Sequence, residues 1–479
     1  MKRLVLLFVG VIGVPAAHAQ VAGPTPLTGT ITTVAAGPGA QTDPHISGSR
    51  VSFTNRTTAG SNIGVFDLAS GVASAIDNQG NEVFQDSISD ISGDTVVFTR
   101  RLTSTSIQEI AFADLSDPSN PLSTVTVLAP DASVRRTSAR VGGDTVAFQQ
   151  FTTSSTAVSA ICVASLLHPS DPANCLTSEA LSNSDPDVSP DGNIVVFQSC
   201  QTPHIGCDIY LARRNLDGTW GTPVAITSGG GNDLGPKTNG TIVVYASNAG
   251  GDFDIYYEPV TGTGTATRLQ FSDVAGSNET APSISGTLIS MERTLPGQTN
   301  ADIYLFDIAA NTLFQWPATP DIDEHLVDVA VAADGTVRVV WAHVDPLHPD
   351  EGDNVYALSV NLNAPSYVVC PLFDTSRSFK SGRVVPLKIR LCDATGSNLS
   401  DISLVLTAIG LAQLDGSAST LIDAESAGQA NADGVFRYDA SLGGYVFNLS
   451  TAGLATGTWE LRFRVSGDNA VYGVTFDIR

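Results

Sequence analysis

The segment from His343 to Asp353 carries the densest group of side chains that could do chemistry. Within eleven residues it holds two imidazoles and four carboxylates, on His343, Asp345, His348, Asp350, Glu351 and Asp353. Ca²⁺ takes carboxylate oxygens as ligands, and imidazole together with carboxylate suits a transition metal. The spacing matches no calcium-binding loop, and Pro346 and Pro349 stiffen the segment. A solvated loop is therefore the alternative to a metal or ligand site.

Other polar residues favour structural roles over catalysis. Asp208, Asp254 and Asp302 each precede an Ile-Tyr pair, and a carboxylate repeated at one place typically bonds the backbone of a neighbouring turn. His45 is the one side chain that we identify as a candidate to face a central channel, and a purely structural histidine is the alternative. The sequence contains no nucleophile elbow, zinc-protease motif, phosphate loop or dinucleotide fingerprint. We therefore expect no catalytic residue and no cofactor, with Ca²⁺ or another divalent cation as the alternative.

The elements that would position these side chains repeat along the chain. Glycines recur at a period near 48 residues, at Gly48, Gly93, Gly143, Gly192, Gly240, Gly286 and Gly335. In five of the seven units an aromatic residue follows five positions later: Phe53, Phe98, Phe148, Phe197 and Tyr245. We expect these aromatic residues to pack between the repeated units rather than to form a stacking platform.

Each unit has the pattern of four short strands. A strand ends at the glycine turn, an apolar strand follows, and two further strands complete the unit. Four antiparallel strands in each repeat predict an all-β fold, a β-propeller over residues 24–362. The seventh unit lacks its fourth strand, and an orphan strand at 29–34 would supply it by pairing with the strand at 354–357 and closing the ring. This predicts seven blades, with six as the alternative if the third or seventh unit is not a blade.

One repeat resembles a known family. The run from Asp185 to Phe197, together with Cys207-Asp-Ile-Tyr-Leu211, is similar to the TolB-type, WD-like propeller repeat. The resemblance implies a propeller over about 320 residues. It leaves the function open, because such propellers serve as periplasmic scaffolds, as ligand-binding modules and as non-catalytic parts of peptidases.

Residues 366–479 lack the repeat and favour a small β-sandwich. Strand-like runs lie at 384–389, 403–407, 444–449, 458–464 and 472–478. The motifs Val385-Pro-Leu-Lys-Ile389 and Gly457-Thr-Trp-Glu-Leu461 resemble the PxKF-type immunoglobulin-like modules of exported bacterial proteins. The resemblance implies an accessory module with no chemistry of its own.

The start of the chain and its cysteines predict export. Residues 1–19 have the basic start, short apolar run and Ala17-His-Ala19 cleavage site of a signal peptide. The cysteines lie in three close pairs, Cys162 with Cys175, Cys200 with Cys207 and Cys370 with Cys392. We expect three local disulfides, although six cysteines allow 15 connectivities. These features indicate a periplasmic or extracellular protein without a membrane anchor.

Composition limits the classes of partner. Of the 479 residues, 42% are hydrophobic, which is enough for a core and excludes a disordered chain. The net charge of −24 argues against nucleic acids and anionic membranes as partners. We expect an exported non-catalytic binding or scaffold protein that presents a propeller face to a protein or glycan partner. The alternatives are a propeller-based enzyme, such as a metal-assisted polysaccharide lyase or a hydrolase, and a structural protein of the cell surface or matrix.

Overall fold

A computed structural model of the chain contains two compact units, Met1–Val360 and Asn361–Arg479. Its described part is built from β-strands arranged in nine sheets, seven of which belong to the first unit. The described residues are 24–27, 29–76, 83–105, 107–116, 124–152, 158–202, 205–261, 266–269, 271, 276–316, 322–332, 334–345, 347–348, 352–362, 367–374, 377–393, 395–414, 434–466, 468 and 470–479. The proposed signal peptide, at 1–19, lies outside them.

The first strands of the seven sheets form a closed circle. These strands are β3 (Ala40–Ser47), β7 (Phe84–Ser92), β11 (Val134–Gly142), β15 (Ser182–Val188), β19 (Asp233–Thr238), β23 (Asn278–Ser285) and β27 (His325–Val331). Each contacts the first strand of the next sheet, and β27 contacts β3. Seven sheets arranged in this way are consistent with a propeller.

The second and third strands continue each sheet outward as antiparallel neighbours. The second strands are β4 (Arg50–Thr57), β8 (Thr95–Leu102), β12 (Thr145–Thr152), β16 (Ile194–Thr202), β20 (Ile242–Ser247), β24 (Leu288–Thr294) and β28 (Val337–Val344). The third strands are β5 (Gly60–Asp67), β9 (Gln108–Asp114), β13 (Ala160–Ser165), β17 (Ile205–Arg213), β21 (Asp254–Pro259), β25 (Asp302–Asp307) and β29 (Asp353–Val360).

The outer strands are short, and the last of them comes from the start of the chain. Six follow their third strands in sequence: β6 (Val72–Ala75), β10 (Val125–Leu128), β14 (Asn174–Cys175), β18 (Val224–Ala225), β22 (Thr267–Arg268) and β26 (Thr312–Gln315). The seventh sheet is completed by β2 (Thr30–Ala35), in which Thr30 lies opposite Ser359 and Thr33 opposite Tyr356 of β29. The predicted closure by the orphan strand is therefore confirmed. A fifth strand, β1 (Thr25–Pro26), adds in parallel to β26.

Each first strand contains a β-bulge. One backbone position at each bulge adopts a positive φ. These positions are Asp43, Ile88, Ser138, Asp185, Gly235, Ala281 and Leu326. The pairing with the second strand shifts register at the same place. A bulge bends a strand and re-aims the side chains that follow it. We call these seven the bulge residues.

The aromatic residues of the repeat pack between sheets, as predicted. Phe98, Phe148 and Phe197 have no exposed surface, and Phe53 and Tyr245 are also buried. Tyr245 shares a cluster with Val196 and Leu211 of the preceding sheet. The second strands are buried over most of their length, so neighbouring sheets bury their faces against each other.

The second unit consists of two four-stranded sheets that share one core. One sheet has the order β30 (Val368–Pro371), β32 (Val384–Cys392), β35 (Gly444–Ser450) and β34 (Arg437–Asp439). The other has the order β31 (Ser378–Phe379), β37 (Val471–Ile478), β36 (Gly457–Val465) and β33 (Leu406–Gln413). Leu387 and Phe447 of the first sheet lie in one cluster with Phe463 and Phe476 of the second. The unit is therefore a two-layer sandwich.

One predicted strand of this unit is displaced. The strand expected at 403–407 begins at Leu406 and runs to Gln413. Asp401 Oδ1 accepts hydrogen bonds from the Ser403 amide at 2.8 Å and from its hydroxyl at 2.6 Å. This Asx turn takes up the residues that were expected to start the strand.

The cysteines form three disulfides, Cys162–Cys175, Cys200–Cys207 and Cys370–Cys392. They join the members of each predicted pair. Disulfides persist in oxidising compartments, so the three bridges indicate an extracytoplasmic environment. Among the described residues, no helix has the length and apolar character to cross a membrane.

Candidate functional site

Seven side chains converge where the first strands meet. Each lies two positions after a bulge residue, so the bulge sets its direction in every sheet. We call them the ring residues: His45, Asp90, Arg140, Asp187, Lys237, Ser283 and Asp328. Around the circle, basic and acidic side chains alternate, and Ser283 stands at the one neutral position. The ring is therefore built by tertiary contact between residues of unlike type.

His45 is the most heavily paired member of the ring. Its Nδ1 lies 3.3 Å from Asp328 Oδ2 and 3.6 Å from Asp90 Oδ1, and its Nε2 lies 3.6 Å from Asp43 Oδ1. Burial and Arg140 lower the pKa of His45, but the carboxylates outweigh them and raise it to about 9. The ring imidazole is thus an imidazolium at neutral pH.

Each of the three acidic ring residues connects its own sheet to the next one. Asp90 accepts a hydrogen bond from the Val141 amide at 2.7 Å, and Asp187 accepts one from the Thr238 amide at 2.8 Å. Asp328 closes the circle by accepting from the Ile46 amide at 3.0 Å. Each of these amides belongs to the residue directly after a basic ring residue. Each acidic group therefore lies close to a basic side chain of the next sheet and also accepts a hydrogen bond from the backbone of that sheet.

The same carboxylates pair with the basic ring residues. Lys237 Nζ lies 3.5 Å from Asp187 Oδ1. Burial lowers the pKa of Arg140, but Asp90, Asp43, Asp187 and Asp185 together raise it above its usual value. Burial raises the pKa of Asp328, yet His45 and Ser283 outweigh this effect and bring it down to about 2. His45 and Asp328 therefore carry opposite charges at neutral pH.

Two cavities meet at the ring. The cavity on the side of the strand ends has a volume of about 240 Å³ and is lined by six of the ring residues, with Arg140 as the exception. The cavity on the side of the bulges has a volume of about 260 Å³, and we call it the central cavity. Its wall includes the ring residues His45, Arg140 and Lys237 and the bulge residues Asp43 and Asp185.

Prolines form much of the remaining wall of the central cavity. Four of them follow bulge residues directly: Pro44, Pro186, Pro236 and Pro282. Proline has no amide hydrogen to donate, so it is tolerated at a bulge where a ladder hydrogen bond is absent. The cavity thus offers rigid apolar surface beside three basic groups and two carboxylates, which suits a polar ligand with a short apolar part.

Chemically, the ring is better suited to holding charge than to moving protons. A general base must be unprotonated near the working pH, and the protonated His45 does not meet that requirement. Each acidic ring residue already accepts a hydrogen bond from the neighbouring sheet. The basic groups on Arg140 and Lys237 remain positioned to bind a carboxylate or hydroxyl group that enters the central cavity.

The His343–Asp353 segment is divided among three different contacts. His343 stacks on Tyr356, with ring centroids 4.1 Å apart, and its Nδ1 accepts a hydrogen bond from Trp341 Nε1 at 3.1 Å. Asp345 pairs with the exposed His348 at 3.1 Å. Asp353 pairs with His325 at 3.3 Å, a partner from another strand. Asp350 and Glu351 lie outside the described residues. Among the described residues, no group of three or more histidine, cysteine, aspartate or glutamate side chains is arranged so that it could hold a metal ion.

The repeated aspartates do not share a single role. Asp254 pairs with Arg268 at 2.7 Å, a side-chain contact in place of the expected backbone bond. Burial raises the pKa of Asp302, and burial with the charge of Asp233 raises the pKa of Asp208. The repeat therefore places a carboxyl group at one strand position but does not give it one partner.

The sequence interpretation named only His45 as a channel residue and missed the other charged members of the ring. A signal was present in the aligned units. In five of them the ring residue stands three positions before the repeat glycine: His45, Asp90, Arg140, Lys237 and Ser283. Four of these five residues carry an ionisable side chain, and both basic and acidic types occur at this one position of the repeat.

Comparison with known proteins shows similarity of fold only. No family model matches the chain, and no curated protein matches it in sequence. A prolyl endopeptidase structure has 11% identity and a TM-score of 0.47, and the match covers 74% of this chain and 55% of that one. The chain therefore spans about half the length of that enzyme.

Two smaller propeller proteins are also similar. The propeller domain of the Trilobed protease from Pyrococcus furiosus has 12% identity and a TM-score of 0.48, with 68% of this chain and 96% of that one covered. TolB from Acinetobacter baumannii has 15% identity and a TM-score of 0.37, with 64% and 79% covered. The chain is thus structurally similar to TolB-like and prolyl endopeptidase propeller domains.

Proposed function

We propose that the chain is an exported binding protein with a seven-bladed propeller, and that its central cavity receives a polar group of a protein or glycan partner. The observation that carries this proposal is the ring of paired charges. It places Arg140 and Lys237 beside Asp43 and Asp185 at a concave opening with proline walls. Such an opening can satisfy donors and acceptors of a ligand at once.

The protonation of the ring supports binding over catalysis. A pKa of about 9 keeps His45 cationic, and its carboxylate neighbours are held by adjacent strands. The second unit would serve as an immunoglobulin-like accessory module, as its sequence resemblance implies. The predicted signal peptide and the three disulfides support delivery to the periplasm or the cell exterior.

A propeller-based enzyme is the second candidate, and the convergence of the ring residues favours it. Lyases and hydrolases need acid–base groups that meet at one point. The ring brings a histidine, a lysine and an arginine together with several carboxylates. Catalysis would then require one of these groups to leave its ion pair when substrate binds.

The two candidates are separated by one set of measurements. Oligosaccharides, both neutral and uronic-acid-containing, and short zwitterionic peptides are titrated calorimetrically against the wild type, Arg140→Gln and Lys237→Gln. Lys380→Gln, on the second unit, is the control with the same change in charge. We expect both cavity variants to bind at least roughly tenfold more weakly than the wild type, since each removes a charge-assisted hydrogen bond.

Turnover is followed on the same oligosaccharides by absorbance of unsaturated products and by reducing ends. We expect none. The alternative outcome is turnover in the wild type and in Lys380→Gln that is lost in His45→Gln and in Lys237→Gln. This outcome would contradict the binding proposal and would show that the chain is an enzyme. If all variants bind the ligand as tightly as the wild type does, the binding site is not in the central cavity.

A further inference from the structure

A second cavity lies between the fourth and fifth sheets, away from the ring. Its volume is about 300 Å³, and it shares no lining residue with the central cavity. The segment after β18 forms one wall, and strands β20 and β21 form the other. We call it the side cavity. Its polar lining includes Asp233, Tyr245, Ser247, Tyr256 and Glu258.

Glu258 makes this cavity unusual. Its side chain is buried, with 4% of the residue exposed. The carboxylate accepts a hydrogen bond from the Tyr245 hydroxyl, but Oε1 has no hydrogen-bond partner among the described atoms. A buried carboxylate oxygen without a partner is costly, so such an oxygen in a cavity wall indicates a missing donor.

The charges around Glu258 increase the need for that donor. Burial raises the pKa of Glu258, the Tyr245 hydrogen bond lowers it, and the negative charge of Asp233 raises it further. Asp233 also acts on Asp208, whose pKa is raised by burial and by that charge. The nearby cation, Arg268, is engaged by Asp254 at 2.7 Å and does not line the cavity. The side cavity is therefore locally acidic.

The opposite wall is shaped to leave space. A Cβ atom at Gly229 or Gly230 would meet nothing within 4 Å, so these residues contribute backbone without filling the cavity. The end of this loop is held in place, because the Asn232 amide donates to Asn248 Oδ1 at 2.7 Å and Asn232 Oδ1 accepts from the Gly206 amide at 2.8 Å. This wall therefore leaves space for a ligand, and hydrogen bonds hold its end in place.

We propose that the side cavity binds a protonated alkyl amine, as carried by a lysine side chain of a peptide or by a small diamine. The ammonium group would donate to Glu258 Oε1 and to the carboxylate of Asp233. Its alkyl chain would lie along the rings of Tyr245 and Tyr256, which are stacked with centroids 5.9 Å apart.

The residues present fit an ammonium group better than a metal ion. Ca²⁺ takes six to eight oxygen ligands and Mg²⁺ needs a near-ideal octahedron, whereas the cavity offers two carboxylates set among aromatic rings. An anion would meet uncompensated negative charge. The overall charge of −24 also attracts cations toward the molecule.

The test uses the full mature chain and two probes. Cadaverine is titrated calorimetrically, and so is a short peptide with one central lysine; the same peptide with acetyl-lysine is its uncharged control. The variants are Glu258→Gln and Asp233→Asn. Asp171→Asn is the control, because Asp171 is exposed and its substitution changes the net charge by the same amount. Because Glu258 is buried, thermal denaturation is recorded for each variant, and the more accessible Asp233 provides an independent variant.

We expect micromolar-to-millimolar binding of at least one charged probe in the wild type and in Asp171→Asn. Glu258→Gln and Asp233→Asn should each weaken it roughly tenfold, the loss of one charge-assisted hydrogen bond. Preference for the lysine peptide over cadaverine would assign the site to a protein partner, and the reverse would assign it to a free amine. The Arg140→Gln variant should bind normally, which keeps this site distinct from the central cavity.

Three results with the charged probes would overturn the proposal. The first is that neither probe binds, and the second is that Glu258→Gln and Asp233→Asn bind a probe as tightly as the wild type does. The third is that Ca²⁺ displaces the amine at similar concentration. Equal binding of the acetyl-lysine peptide would also contradict it, since that peptide lacks the charge.

Discussion

Charge pairing among the ring residues decides what individual side chains can do. His45 lies against three carboxylates on three strands, and Arg140 also acts on it. A histidine in such a position is a structural cation and a poor base. The ionisation state of one ring residue therefore links stability to pH.

Stability should fall as the pH rises from neutral to alkaline values. The pKa of His45 is raised from 6.5 to about 9, so its contribution is complete below pH 6.5 and is lost as the pH rises through 9. The difference is worth roughly 3 kcal/mol of unfolding free energy. Urea unfolding at pH 6 and above pH 9 measures this loss, which His45→Gln should remove. His168→Gln, at an exposed histidine, should keep it; the same pH dependence in His45→Gln would contradict the assignment.

Buried arginines form a second group of polar residues inside the sheets. Arg293 has no exposed surface, and its Nε lies 2.8 Å from Glu279 Oε1. Its guanidinium lies over the rings of Phe271 and Tyr304. Arg100 and Asp86 make the corresponding buried pair in the second sheet. These pairs occupy facing positions of first and second strands, so they join strands of one sheet.

Removing one member of such a pair should cost far more than removing both. Arg293→Met leaves the Glu279 carboxylate buried and unpaired, which we expect to cost about 3–5 kcal/mol of unfolding free energy. The double variant Arg293→Met, Glu279→Leu should recover most of it. Arg437→Met, in the exposed pair with Asp439, should change stability by less than about 1 kcal/mol. Chemical denaturation measures all four proteins, and a double variant no more stable than the single one would refute the explanation.

At the scale of elements, the bulges orient side chains, whereas the strand β2 completes a sheet. The bulges turn the ring residues toward one another, and β2 covers the open edge of β29. Val34 of β2 is buried in one cluster with Val355 and Ala357 of β29. Without β2, the third strand of the seventh sheet would expose a free edge and an apolar surface.

A chain that begins after residue 35 should be less stable and should associate. Loss of the buried Val34 side chain alone removes about 2 kcal/mol of apolar burial, and the free edge of β29 invites pairing with another copy. A chain that begins at residue 24 keeps β2 and is the matched control. Thermal denaturation and size-exclusion chromatography compare the two. Equal melting temperatures and a monomeric shortened chain would show that β2 does not stabilise the ring.

At the scale of the whole molecule, the chain consists of two units with separate cores. The second unit buries Leu387, Phe447 and Phe463 within its own cluster, and Cys370–Cys392 joins β30 to β32. A two-layer unit with its own core can fold without its neighbour.

Residues 361–479 expressed alone should therefore unfold cooperatively. Phe447→Ala in this fragment should cost about 3–5 kcal/mol, since Phe447 is fully buried. Reduction of its disulfide should cost a further 2–4 kcal/mol or so. Val471→Ala, at an exposed position of β37, is the neutral control. Calorimetry of the fragment checks these values, and a broad non-cooperative transition would show that the unit depends on the rest of the chain.

Much of the architecture could be predicted from local patterns. Glycine turns and apolar strands of period two specify their own segments, so the repeats, the closing strand and the close cysteine pairs were visible in the sequence. The start of β33 was not, because the Asx turn at Asp401 competes with strand formation.

Tertiary structure alone decided the two sites. The ring residues lie up to 283 positions apart, from His45 to Asp328, and differ in type, so their shared place before the repeat glycine does not by itself show that they meet. They meet because a bulge re-aims each side chain and because the first strands close a circle. The unpartnered oxygen of Glu258 likewise depends on which strands of neighbouring sheets face each other. The sequence determined the strands by short-range chemistry, whereas long-range packing determined which charged groups share a cavity and what they can bind.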